Sequence, residues 1–104
     1  MADQNMQLLN QAQMYQQQMQ GIAAQKEAVN MQLMELSGAL DELEKATGAV
    51  YKVAGPLIVK SEKAELKKDM EEKKELLHTR LKVLEKSELK IREKVDELKG
   101  KLKA

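Results

Sequence analysis

Large aromatic rings are almost missing from this sequence: 104 residues include two Tyr, no Phe and no Trp. Rings of that size supply much of the buried area of a small globular core, so a thick core is not expected. There is no Cys and one His, His78, which excludes a disulfide framework and zinc sites of the Cys/His type. Long apolar runs are absent too. In the lower half the longest uncharged stretch, Val53 to Val59, falls far short of the roughly 20 residues that a membrane span needs. The opening residues Met1-Ala2-Asp3-Gln4-Asn5 lack the basic patch and apolar stretch of a signal peptide. Neither sign of charge dominates, with Lys+Arg 18 against Asp+Glu 17, so no general attraction to nucleic acid or to an anionic membrane is expected. These absences point to a soluble, cytoplasmic, mainly helical chain.

What is present is Leu, Met, Val, Ile and Ala spread among charges, the composition of long helices and coiled coils. Residues 1–25 hold nine Gln and a single charge, Asp3, whereas residues 61–104 hold 25 charged residues. Both zones carry a four-three apolar spacing. The first runs Leu8, Ala12, Tyr15, Met19, Ile22, Lys26, Val29, Leu33, Leu36, Leu40, Leu43, broken only by Lys26. The second runs Met70, Lys74, Leu77, Leu81, Leu84, Glu88, Ile91, Val95, Leu98, Leu102, with Leu66 adding a contact near its start. Such spacing marks coiled-coil seams, and Gln, a fair helix former, fills the outer faces.

The two seams fit each other when the chain folds back: Leu8 then meets Leu102, Tyr15 meets Val95, Met19 meets Ile91 and Leu40 meets Met70. The expected fold is mainly α, a long antiparallel intramolecular coiled coil with a central β-hairpin between its two helices. The whole of 1–104 forms one domain in this reading, with a first helix over 4–47, a hairpin over 49–60 and a second helix over 61–103. Lys26 and Glu88 fall in adjacent layers, where each can snorkel outward or the two can pair across the seam. Gly48 is placed to end the first helix at C′, and Ser61 to N-cap the second. Between them, Val50–Val53 and Leu57–Lys60 read as strands about Ala54-Gly55-Pro56, with Pro56 at a strand's first residue. Leu57-Ile58-Val59 puts apolar side chains on both faces, and an isolated two-stranded hairpin is marginal in water. The hairpin is therefore expected to join those of other chains.

Helix, hairpin and helix with equal arms resembles the β-class subunits of prefoldin, from archaeal β chains to the sixth eukaryotic subunit. The residues that carry the resemblance are Val50-Tyr51-Lys52, Gly55, Leu57-Ile58-Val59-Lys60, and the Gln-rich stretch with Tyr15-Gln16-Gln17-Gln18 and Gln25-Lys26. Pro56 after Gly55 is closer to the sixth eukaryotic subunit, and the second arm stops at Ala104 without the tail of many relatives. The resemblance implies an ATP-independent chaperone subunit, two α-class partners joining four β-class chains through their hairpins. It also implies that unfolded clients are gripped near the arm tips and passed to a cytosolic group II chaperonin.

On this reading the assembly residues are Val50, Tyr51, Val53, Gly55, Leu57, Ile58 and Val59. The client-binding candidates are Met6, Leu8, Leu9, Met14, Leu98 and Leu102. Of these, Leu8 and Leu102 also belong to the seam and pack there in the plainer reading. Met6, Leu9 and Met14 lie off it, and Met is flexible enough to meet many partners. Met31 and Met34 are expected to pack along the flank, Tyr15 to pack in the seam, and His78 to sit on a solvated face. In residues 61–104 bases and acids interleave, 14 against 11, as on a solvated coiled-coil surface. No phosphate-cradling Gly-rich loop, no activated nucleophile and no water-excluding pocket is evident, so neither enzyme activity nor a cofactor is expected. A structural scaffold joined through the same hairpin is the competing reading; an exposed apolar tip is what separates the two.

Overall fold

The four-three spacing does set the helices. In the computed structural model, which describes residues 2–103, α1 spans Ala2–Lys45 and α2 spans Lys63–Lys103, with β1 (Val50–Ala54) and β2 (Leu57–Ser61) between them. Every seam position of α1 from Leu8 to Leu43 is buried or half-buried, and so is every one of α2 from Leu66 to Leu98. Leu102 departs from this: it is 45% exposed, near the end of α2, where the last turn has little to cover it.

The chain divides into two compact units. Unit 1 takes Met1–Ala28 with Leu81–Ala104, and unit 2 takes Val29–Arg80. Within unit 1 the helices run antiparallel. Gln4 to Gln11 share a groove with Lys101, whereas Ala12, Gln16 and Met19 share one with Arg92, Val95 and Lys99. Its core includes Leu84 and Leu98. Within unit 2 the order is again antiparallel: Gln32 and Leu36 line a groove with Lys73 and Leu77, and Glu44 reaches Lys67. Here Val29, Leu33, Leu43 and Leu77 are buried.

The turn from α1 into the hairpin is held by side chain and backbone together. The last carbonyls of a helix lack intrahelical donors. Lys63 Nζ donates to the carbonyls of Glu44 at 3.1 Å and Ala46 at 3.2 Å, so the first residue of α2 closes the end of α1. Gly48 follows with φ +92°, a left-handed conformation that costs glycine nothing. α1 stops short of the expected residue 47. The N-cap differs as well: Ser61 is the last residue of β2, and Glu62 offers the carbonyl that accepts from Leu66 N–H at 3.0 Å. Pairing of Ser61 with Val50 takes it into the ladder and passes the cap to its neighbour.

β1 and β2 pair antiparallel from Val50↔Ser61 to Ala54↔Leu57. Gly55 and Pro56 are therefore a two-residue turn, and Pro56 lies in the turn rather than at the strand's start. Gly55 has φ +59°, and among the described residues no non-glycine residue has positive φ. Of the two primed turns usual in such hairpins, this fits type II′, whose second position accepts the fixed negative φ of proline.

Candidate assembly and client surfaces

Side chains alternate along a strand, so the observed register sorts the hairpin into two faces. Tyr51, Val53, Ile58 and Lys60 share one; Lys52, Ala54, Leu57 and Val59 share the other. Neither face is covered. Val53 is 73% and Ile58 74% exposed on the first, and Leu57 63% and Val59 47% on the second. Val50, at the base, is half-buried. A ribbon with two apolar faces and two unpaired edges has more surface to bury than this chain alone covers.

Beside the hairpin, the Lys67 ammonium donates to the Glu44 carboxylate. That hydrogen bond and the attraction between the charges hold Glu44 below the usual carboxylate range and raise Lys67 above the usual lysine range. Both groups are open to solvent, so the link orients the helices' ends more than it stabilises them.

The terminal end of unit 1 brings together most of the candidate client residues. Met6, Leu9 and Met14 are 63%, 56% and 54% exposed, off the seam as their spacing predicts. Leu8 is half-buried. Leu98 is only 5% exposed, so it is part of the core of unit 1 and not of its surface. The spacing had already put Leu98 on the seam; its nearness to the chain end suggested access that the packing does not give. Met31 and Met34 depart in the opposite direction. At 57% and 76% exposure they stand outside the packed flank, because the partner helix within unit 2 reaches only the seam side of α1. Tyr15 is half-buried in the seam and His78 is exposed.

Three further exposed apolar residues on α2, Leu76, Val83 and Leu89, were not singled out by spacing. The signal was there: Leu76 and Val83 lie seven apart, outside the main seam.

Lys26 and Glu88 pair. Lys26 Nζ lies 3.3 Å from Glu88 Oε2, with side-chain exposures of 27% and 19%. Arg92 approaches the other oxygen of Glu88 at 3.3 Å. One carboxylate thus answers two cations inside unit 1.

Among the described residues, no group of His, Cys, Asp and Glu is placed to hold a metal ion, and no helix is long and apolar enough to cross a membrane.

Comparison with known proteins agrees with this geometry. The family model described as "Prefoldin subunit" matches residues 6–104. Prefoldin subunit beta of Thermococcus onnurineus is 42% identical over 97 residues, covering 91% of this chain and 84% of that protein. Its counterpart in Pyrococcus furiosus is 42% identical over 99 residues, covering 93% and 85%. The crystal structure of the prefoldin beta subunit from Thermococcus strain KS-1 superposes with a TM-score of 0.88 at 41% identity, covering 94% of this chain and 88% of that one. Seams, hairpin and likeness converge: the chain belongs to the prefoldin subunit family of protein-folding chaperones and resembles its β subunits.

Proposed function

We propose that this chain is a subunit of a chaperone that holds unfolded proteins without nucleotide and hands them to a cytosolic group II chaperonin. The observation that carries the reading is the exposure of Met6, Leu9 and Met14 at the terminal end of unit 1. Nothing in the seam requires apolar residues at those positions, and water would favour polar ones. Apolar area buried against a client contributes roughly 25 cal/mol per Å², and flexible thioethers suit clients of varied shape. Leu102, at 45% exposure, adds to this surface; Leu8 and Leu98 join it only where the helix ends fray. The hairpin serves assembly: Val50, Tyr51, Val53, Gly55, Leu57, Ile58 and Val59 join strands of other subunits, two α-class chains with four of the β class.

The test is light scattering from a denatured protein diluted into nucleotide-free buffer. The chain assembled with an α-class subunit is compared with the same assembly carrying Met6→Ser, Leu9→Ser and Met14→Ser. Suppression of scattering that falls severalfold in the variant supports the reading. Equal suppression by both assemblies removes these residues from the grip. An intact assembly that suppresses nothing returns the chain to the role of a scaffold.

A further inference from the structure

Charge is divided unevenly along the chain. Unit 2 holds nine basic and ten acidic residues, whereas unit 1, over Met1–Ala28 and Leu81–Ala104, holds nine basic against seven acidic. The excess lies in the α2 part of unit 1, which has eight basic residues against five acidic, and the α1 part offers few carboxylates to answer it: from residue 2 to 25, Asp3 stands alone. Past Glu97, the remaining charges of α2 are Lys99, Lys101 and Lys103, all basic. Lys99 and Lys101 are exposed. The ion pairs of unit 1 among the described residues are those of Glu88 with Lys26 and Arg92, so neither lysine is paired.

Their position matters more than their number. Lys99 borders a groove floored by Ala12, Met19 and Val95 and edged by Gln16, Arg92 and Asp96. Met6, Leu9 and Ala12 follow one another at three-residue steps, which places them as neighbours on the surface of α1 and leads the exposed apolar residues into that floor. Lys101 borders a second groove, with Gln4, Gln7, Leu8 and Gln11. At the first groove, then, an unpaired ammonium stands at the edge of apolar surface, and at the second another stands over amides and Leu8; both face an α1 that is neutral there.

We propose that this end of unit 1 selects, among unfolded chains, apolar segments flanked by carboxylates. The inference rests on the holding role proposed above and adds the charge class of the client. The apolar floor supplies burial without regard to sequence. The lysines at its edge attract carboxylates and repel other ammonium groups, which sets preference and encounter rate more than depth of binding.

The experiment uses three fluorescent peptides with one shared apolar core, flanked by Glu, by Ser or by Lys. Each is titrated by anisotropy with the full chain assembled with an α-class subunit. At low salt the Glu-flanked peptide is expected to bind roughly threefold to tenfold more tightly than the Lys-flanked one, as a few exposed charge pairs allow. The difference should vanish near 1 M salt, where screening acts within about 3 Å. The double substitution Lys99→Glu, Lys101→Glu should reverse the order, with helical content by circular dichroism unchanged. Equal binding of all three peptides, or an order that survives the reversal, overturns the charge selection and leaves the holding role standing. Failure of every peptide to bind overturns the holding role as well.

Discussion

Lys26 and Glu88 sit in seams that are otherwise almost entirely apolar, and each is less than a third exposed. Taking Glu88 away strands Lys26 in an apolar seam, whereas loss of Lys26 still leaves Glu88 with Arg92. For Glu88→Leu a loss of about 1–2 kcal/mol is expected, between the values for surface and fully buried pairs. The double variant Lys26→Leu, Glu88→Leu should recover to within about 1 kcal/mol of the parent, since Leu suits both positions. Urea unfolding of all four proteins measures the coupling. A double variant weaker than either single one would mean that the pair aligns the helices. Spacing put these residues in adjacent layers but could not decide between pairing and snorkelling. Long flexible stems permit both, and the second cation, Arg92, lies off the seam, where periodicity carries no information.

The elements were legible in proportion to their repetition. Seams recur every heptad, so errors at single positions average out, and burial follows them from Leu8 to Leu43 and from Leu66 to Leu98. Singular features were harder to read. Ser61 has the chemistry of an N-cap, but one more rung of the ladder claimed it and the cap moved to Glu62. Pro56 fits both a strand start and a turn, and only the register separates them. Exposure of Met31 and Met34 depends on where the partner helix ends its reach, which a single strand of letters does not state. The hairpin turn itself makes a clear prediction. A Cβ on Gly55 meets nothing within 4 Å, so the cost of Gly55→Ala comes from φ +59° alone, about 1 kcal/mol. Hydrogen exchange should show it as faster opening of the hairpin amides, with the helix amides of unit 1 unchanged.

For the molecule as a whole, stability and association are one quantity if the hairpin is completed by other chains. The midpoint of thermal unfolding is then expected to rise with protein concentration, as mass action requires. The variant Ile58→Lys places a charge on an apolar face that is 74% exposed in the isolated chain, where it does little harm. In the assembly that face is expected to be dry. Sedimentation should therefore find Ile58→Lys unassembled, its helical content retained and its unfolding independent of concentration. The bare hairpin has another consequence, for the cell's inventory of subunits. A copy made in excess of its partners goes on displaying Val53, Ile58 and Leu57 together with two open strand edges, the features by which incomplete proteins stick to one another. In the assembly proposed above that label would be hidden; an orphan would carry it at every encounter until a partner or a protease took it up.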